Sequence, residues 1–361
     1  MPRRLPRWAA PLLRATGAVV IAVVAGGALV AALGRDPIAV YAILIGGGID
    51  GWPNIAVTLQ MTTPLLFTGL AVSLAFRSGL WNIGVEGQML MGALAAGIAG
   101  YAVSLPAALH VPLCLAAAAL GGAAWAAIPG ALRAFLGVNE LVVCLMLNPM
   151  ALLLTGWVAT RLLKAPGPTN KLPDVLDSAV LPGLSLYSQL NVGLFLALLL
   201  VLLVWLFNSY TLRGFEWKMI GVNPRFAQYG GVAVRSSSFA VFLASGAIAG
   251  LGGAEQVMGV YRAYYDNFSP GYGFDGIAVG MLADFHPFGV IASALLFGVL
   301  NSGSAVLQMM TGLSKYLVQV LQFLVVLLLA ARFAGPVLQR RRTPGRLRRW
   351  TALRLSRNPG A

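Results

Sequence analysis

The sequence predicts an all-α polytopic membrane protein with about ten transmembrane helices and one or two short re-entrant or broken segments. Composition is the first observation: of 361 residues, 58% are hydrophobic and 10% are charged, and the mean hydropathy is +0.81. A soluble domain needs far more surface charge. The second observation is that several apolar runs reach the roughly 20 residues needed to cross a hydrocarbon core. The third is that short apolar stretches interrupted by glycine and proline lie between these runs.

Positive charge is concentrated at the two ends of the chain, and the net charge is +14. The ends carry no acid and thirteen arginines: Arg3, Arg4, Arg7, Arg14, Arg332, Arg340, Arg341, Arg342, Arg346, Arg348, Arg349, Arg354 and Arg357. The positive-inside rule therefore places both termini in the cytoplasm and makes the number of crossings even. We interpret 1–15 and 334–361 as basic cytoplasmic tails around a single transmembrane domain, 16–333. Such tails suit anionic membrane lipids better than RNA, so no nucleic-acid partner is expected.

The first half of the chain divides into five predicted spans. The first is too long for the core of a signal peptide and lacks a cleavage site, so we expect an anchor helix. The glycine-rich segment 37–53 is expected to be partial or re-entrant. Asn139 and Glu140 give the fifth span a cap and an acid in its first turn. The predicted spans are 16–33, 55–75, a third ending near Val103, 107–128, and a fifth running to about Ala159.

The second half begins with a proline-rich outer loop, 160–190, without positive bias. The seventh span carries small residues at four-residue spacing, typical of close helix packing: Ser245, Ala249, Gly253, Gly246, Gly250 and Ala254. The stretch 274–284 is too short to span and is closed by His286 and Pro287, so we expect a half-helix of the kind that lines a transport path. The remaining predicted spans are 192–207, 238–257, 288–307 and 317–331.

One polar stretch, 76–89, interrupts the apolar pattern between the second and third spans. It places Glu86 where a lipid-embedded helix should already have begun, and an intramembrane acid marks a functional site or a buried pair. If the stretch is helical, Asn82 and Glu86 share one face, and Trp81 and Gln88 share another. The alternative is a loop entering a helix, with Glu86 paired to another chain.

The sequence of the expected cytoplasmic loop, 210–235, predicts a very short helix. Asn223 is a good N-cap, Pro224 suits the first helical position, and two glycines follow Tyr229 and stop the helix. Phe226 and Tyr229 then share one face. Such an exposed helix suits docking into the groove of another protein; the alternative is a helix lying on the membrane surface.

Several functional classes lack their required residues. No phosphate loop of the form GxxxxGK[ST] occurs, so any ATP chemistry must take place on a partner. His110 and His286 have no companions at ligand spacing, and a metal site is not expected. No nucleophile, base and acid can be grouped into a catalytic site. We therefore expect neither enzymatic activity nor a cofactor in this chain.

Four stretches together resemble a known family: FRSGLWNIGVEGQ at 76–88, GVNELV at 137–142 with MLN at 146–148, GVNP through YGG at 221–231, and FDGIAV at 274–279. They are similar to those of permease subunits of bacterial ATP-binding-cassette importers that serve branched-chain amino acids, ribose and nucleosides. The similarity is greatest to the nucleoside and simple-sugar branch.

The resemblance implies a multi-pass permease of the bacterial inner membrane that imports a nucleoside or a simple sugar. It implies about ten helices per subunit, a pore formed with a second permease chain that is commonly a different one, a cytoplasmic ATPase, and an extracytoplasmic binding protein. The implied coupling residues are Gly221, Asn223, Pro224, Arg225, Phe226 and Tyr229. The sequence departs from the family pattern after Val279, where Ala283, Asp284 and Phe285 stand, so no role is assigned to Asp284.

The leading hypothesis is a passive pathway driven by the ATP cycle of the partner. The residues expected to line it are Trp81, Asn82, Glu86, Gln88 and Asn148. A second hypothesis is a stand-alone ion- or proton-coupled transporter, with Glu86, Glu140 and Glu255 as relay acids. A membrane-embedded enzyme is a third class, for which the chain shows no catalytic residues.

Overall fold

The computed structural model describes residues 9–314, 316 and 318–320. Over this range the chain consists of helices and irregular segments with only two isolated backbone bridges, which confirms the predicted all-α class. The expected start of the first span at 16 was wrong, because the first helix already begins at Ala9, inside the predicted N-terminal tail. The predicted C-terminal tail and nearly all of the predicted tenth span, 317–331, lie outside the described residues.

Twelve α-helices follow one another in the described residues. They are α1 (Ala9–Ala32), α2 (Pro37–Ile49), α3 (Gly51–Arg77), α4 (Val85–Ala102), α5 (Ala107–Leu136), α6 (Glu140–Trp157), α7 (Gly193–Tyr210), α8 (Leu212–Val222), α9 (Pro224–Tyr229), α10 (Val234–Glu255), α11 (Tyr272–Leu282) and α12 (Pro287–Thr311). Helices α6 and α10 continue as π-helical turns, Val158–Leu162 and Gln256–Tyr261. Six of the described helices, namely α3, α5, α6, α7, α10 and α12, are long and apolar enough to cross a membrane.

Helix α3 lies at the centre of the molecule. Every residue from Thr62 to Ala75 is buried, although Pro64 interrupts its hydrogen-bond ladder. The Thr62 and Thr68 hydroxyls donate to carbonyls one turn earlier, at 2.7 and 3.0 Å, so these polar groups are satisfied without water. A helix apolar around its whole circumference belongs in the interior of a bundle.

Helix α10 packs closely on α4 and α5 through the small residues predicted for this purpose. A Cβ atom at Gly250 would meet the carbonyl oxygen of Ala118 and the backbone of Gly122 in α5. A Cβ at Gly253 would meet the carbonyl oxygen of Met89 in α4. The absence of side chains lets the backbones approach, and the predicted close-packing face is therefore confirmed.

Helix α5 is longer than predicted. The expected end at 128 was wrong, because the helix continues past Pro129 and ends at Leu136. Gly137, with φ of 69°, forms the left-handed cap, and its N–H donates to the Leu132 carbonyl. Proline is tolerated in membrane helices because neighbouring helices and local adjustments satisfy the freed backbone groups.

The outer loop packs against the extended segment that precedes α11. The N–H of Leu172 donates to the Tyr264 carbonyl and that of Val175 to the Arg262 carbonyl, both at 2.9 Å. At the exposed edge of this loop, the Asp174 carboxylate lies 2.6 Å from the Lys171 ammonium and raises its pKa. These backbone hydrogen bonds thus hold the irregular segment before α11 against the loop.

Helix α11 is the short element predicted from the sequence. It runs beside the second half of α3 in the same direction, because Gly276 lies against Thr68 and the Phe285 and Phe76 rings are 5.1 Å apart. The helical rise puts Thr68 about 14 Å from the end of α3 at Arg77. The N-terminus of α11, one turn before Gly276, therefore lies beside the middle of α3, a helix long enough to cross a membrane.

Candidate functional site

The chain between α3 and α4 is irregular. Helix α3 ends at Arg77, Gly79 has φ of 76°, and α4 begins only at Val85. The stretch is thus a loop entering a helix, which was the alternative given from the sequence, and the faces expected for a helical stretch do not apply, because Asn82 and Gln88 are paired. The glycines of the motif allow the turn that reverses the chain direction.

Asn82 is the centre of a fully buried hydrogen-bond network. Its amide nitrogen donates to Gln88 Oε1 at 2.8 Å and to Ser245 Oγ at 2.9 Å, and its oxygen accepts from Gln88 Nε2 at 2.9 Å. Ser245 in turn donates to the Ala71 carbonyl at 2.7 Å. Both amide side chains are 0% exposed. Their hydrogen bonds hold the loop against α3, α4 and α10.

Trp81 lies apart from this network. Its ring packs on Phe76 with centroids 4.8 Å apart, and 44% of the side chain is exposed. Phe76 also contacts Phe285 at the end of α11. The three rings form a cluster beside Arg77, where α3 ends.

Glu86 caps the N-terminus of α11 from α4. The N–H of Gly273 donates to Glu86 Oε2 at 2.6 Å, and Ser269 lies beside the carboxylate in the lining of one cavity. Glu86 is only 8% exposed and occupies the first turn of α4. The positive ends of two helices therefore meet at one carboxylate, the arrangement that a helix dipole favours for an anion.

The side chain of Asn148 in α6 likewise caps the N-terminus of α4. Its side-chain oxygen accepts from the Gly87 N–H at 3.0 Å, and its nitrogen donates to the Ile83 carbonyl at 3.0 Å. When a helix begins inside the membrane, no water is present to accept hydrogen bonds from its first backbone N–H groups. Asn148 and Glu86 supply the missing acceptors.

A cavity of about 370 Å³ opens where these two helix ends meet. Its polar lining comes from Glu86, Asn148, Asn267 and Ser269, and its apolar lining includes Leu152. The ring of Phe274, 43% exposed, also lines it. The cavity thus combines carboxylate, amide and hydroxyl groups with one aromatic ring.

The structure brings together two of the five residues predicted for the pathway. Glu86 and Asn148 line the cavity, whereas Trp81, Asn82 and Gln88 do not. Sequence reasoning missed Phe274, Asn267 and Ser269. The sequence contained signals for two of these residues. Phe274 begins FDGIAV, which was part of the resemblance, and Ser269 is followed directly by Pro270 and a glycine before a short apolar stretch.

The short helix α9 has the predicted limits and cap. Asn223 Oδ1 accepts from the N–H groups of Arg225 and Phe226 at 3.0 and 3.1 Å, and Pro224 occupies the first turn. Phe226 is 65% exposed and Tyr229 is 92% exposed. The helix therefore presents both aromatic rings to its surroundings, as predicted.

Helix α8, which was not predicted, lies in the same loop and packs against the irregular segment between α3 and α4. A Cβ at Gly221 would meet the Arg77 carbonyl oxygen, and a Cβ at Gly79 would lie 3.0 Å from the Gly221 Cα. The two backbones are thus in direct contact. Helix α8 therefore packs directly on the loop that leads into α4.

Comparison with known proteins agrees with this architecture. A family model described as the permease component of branched-chain amino acid transport systems matches residues 54–330. No solved structure matches the chain.

Curated relatives cover most of the chain. The guanosine ABC transporter permease protein NupP of Bacillus subtilis is 35% identical over 92% of this chain and 96% of its own length. The glucose ABC transporter permease protein TsgB13 of Haloferax volcanii is 34% identical over 91% of this chain and 89% of its own length. A second guanosine ABC transporter permease protein of Bacillus subtilis, NupQ, is 26% identical over 70% of this chain and 82% of its own length.

Proposed function

This chain belongs to the permease-component family of branched-chain amino acid transport systems, and we propose that it forms one half of a pathway that imports nucleosides. It is a permease subunit of an ABC importer and a multi-pass protein of the inner (plasma) membrane. Its own residues carry solute across the membrane, and ATP hydrolysis is assigned to a separate cytoplasmic subunit. An extracytoplasmic binding protein delivers the solute.

The cavity between α4, α6 and α11 is the observation that carries the proposed substrate. Asn148, Asn267 and Ser269 offer hydrogen-bond donors and acceptors to a neutral solute with hydroxyl groups. The exposed ring of Phe274 offers a face on which a base stacks. A simple sugar can pack only its C–H groups on the ring, whereas a base offers a flat face that stacks on it. Among the relatives, NupP is named a guanosine permease and TsgB13 a glucose permease, so the exposed ring is the feature that favours nucleosides.

We place the second permease subunit over the mouth of this cavity. Helix α6 contributes Asn148 and Leu152 to the cavity and also exposes Met146, Met150 and Leu153 on its surface, by 63%, 54% and 73%. Irregular backbone and polar groups at membrane depth are tolerated only beside protein or a water-filled space. A partner chain on this face would enclose the cavity and its polar residues Glu86, Asn148, Asn267 and Ser269 between two subunits. The presence of NupP and NupQ in one organism supports two different permease chains.

The proposed topology has ten crossings with both termini in the cytoplasm. The extended segment 262–271 and α11 together make one crossing, and α2 is counted as re-entrant. Arg77, Arg133 and Arg213 then lie at the cytoplasmic ends of their helices, in keeping with the positive-inside rule. Helix α9 projects on the same side, where Phe226 and Tyr229 are available to the ATPase subunit.

Competition for uptake tests the substrate. The chain is reconstituted in liposomes with its second permease, ATPase and binding protein, and uptake of labelled guanosine is measured on addition of ATP. We expect excess adenosine or uridine to compete and excess glucose or ribose to have no effect. ATP-driven uptake of glucose or ribose that excess nucleoside does not inhibit would contradict the proposal.

A further inference from the structure

Helix α11 is bounded at each end by residues in the left-handed region. Gly271, immediately before it, has φ of 106°, and Asp284 and Phe285, shortly after it, have φ of 50° and 58°. Short irregular segments of this kind at the ends of an element are where hinge motions are absorbed. The eleven residues between them form a regular helix.

The contact between α11 and α3 places glycines of each helix against side chains of the other. A Cβ at Gly276 would collide with Thr68, and one at Gly280 would lie 3.2 Å from Ser73 Oγ. In the other direction, a Cβ at Gly69 of α3 would collide with the Val279 side chain. The two helices are therefore closely packed along this face.

The N-terminal turn of α11 is bonded both to the preceding chain and to α4. Ser269 Oγ accepts from the Tyr272 N–H at 3.3 Å, and Glu86 Oε2 of α4 accepts from the Gly273 N–H at 2.6 Å. Gly273 also lies so close to α4 that a Cβ there would collide with the backbone of Glu86. The N-terminal end of α11 is thus held against α4 by a bond to a charged group.

Building on the proposed function, we propose that Glu86 is a positioning residue that fastens α11 to α4 in the closed pathway, and that transport requires this bond to break. The cavity lies between the two helices and α6, so separating α11 from α4 widens it. The carboxylate keeps the resting pathway closed until the ATPase subunit moves the loop before α4 through α8.

The test compares leak and uncoupled ATP hydrolysis in the reconstituted four-component importer. For Glu86→Ala we expect binding-protein-independent ATP hydrolysis and passive efflux of preloaded guanosine to rise about tenfold, since a hydrogen bond to a charged group shifts a two-state equilibrium by at least that factor. Glu86→Gln keeps an acceptor oxygen, and an intermediate rise is expected. Gly273→Ala, which pushes α11 from α4 and leaves the carboxylate intact, should reproduce the leak.

Glu255→Ala is the matched control. Glu255 is another buried acid, 1% exposed, and its carboxylate accepts hydrogen bonds from Asn191 at 2.8 Å and Gln256 at 2.6 Å rather than from the Gly273 N–H. The control should leave leak and uncoupled hydrolysis at the wild-type level. An equal leak in the control would overturn the inference, because general loosening would then explain both.

Substrate contact by Glu86 would give a different result. A raised KM for uptake in Glu86→Ala and Glu86→Gln, with leak and uncoupled hydrolysis unchanged, would overturn the positioning role. If the wild-type importer hydrolyses ATP but does not take up guanosine, the proposed substrate fails. The uncoupled hydrolysis of the Glu86 and Gly273 variants still decides the present inference.

Discussion

Asn82 shows how polar residues inside a membrane protein satisfy one another. The sequence alone indicated that this stretch was unusual, but a helical interpretation put Asn82 and Gln88 on separate faces. The structure shows that the chain turns at Gly79 and pairs the two amides at 2.8 and 2.9 Å. Periodicity could not predict this pairing, because it depends on where the helix begins.

Removing the Asn82 side chain should therefore destabilise the fold rather than change substrate affinity. Asn82→Ala leaves Gln88 and Ser245 without their buried partner, at a cost of about 2–3 kcal/mol. We expect a lower Tm for the purified protein in detergent. Trp81→Ala is the neighbouring control and should change the Tm little, since Trp81 is 44% exposed. A Tm of Asn82→Ala equal to wild type would refute the structural role.

Phe274 carries a prediction about specificity. If its ring stacks on a base, Phe274→Ala should raise the KM for guanosine uptake about tenfold, the order of one base–aromatic stack. Phe274→Tyr keeps the ring and should behave like the wild type. The measurement is initial uptake rate against guanosine concentration in proteoliposomes. Equal KM values for the alanine and tyrosine variants would exclude stacking.

At the scale of elements, local signals explain which helices were predictable. Helix α9 was predicted residue by residue, because Asn223, Pro224 and the following glycines act on the chain next to them. Helix α8 was missed because its charged sequence resembles a loop. The meeting of α4 and α11 could not be predicted, since it depends on contacts between residues distant in the chain.

The aromatic pair of α9 should bind the ATPase subunit. Replacing Phe226 and Tyr229 with alanine should leave the fold intact, because both are exposed, and should reduce copurification of the ATPase about tenfold, as is typical of aromatic anchors at an interface. Phe215→Ala is the matched control, since Phe215 is 56% exposed on the neighbouring helix α8. Wild-type copurification of the double variant would show that α9 is not the docking element.

The backbone contact between α8 and the α3–α4 loop should transmit the movement of the ATPase. Gly221→Ala places a methyl group against the Arg77 carbonyl and should abolish most uptake while ATP hydrolysis persists. Gly230→Ala, in the same loop, meets only ordinary contacts at 3.4 Å or more. This control should transport normally. The ratio of guanosine molecules taken up to ATP hydrolysed reports the difference, and an unchanged ratio in Gly221→Ala would speak against transmission.

At the scale of the whole molecule, composition alone was sufficient to predict a helical membrane protein. The positive-inside rule gives an orientation that labelling can check. In a variant without Cys114 and Cys144, a cysteine at Lys171 should react with a membrane-impermeant maleimide from outside, and one at Arg213 only from inside. The reverse pattern would place α9 on the wrong side for an ATPase.

The coupling of transport to a separate ATPase is the central claim. It is tested most directly by measuring guanosine uptake into proteoliposomes that contain the complete importer and into others that contain this chain alone under an ion or proton gradient. The account predicts uptake that needs ATP, the binding protein and the ATPase subunit together. Gradient-driven uptake by the chain alone would contradict it.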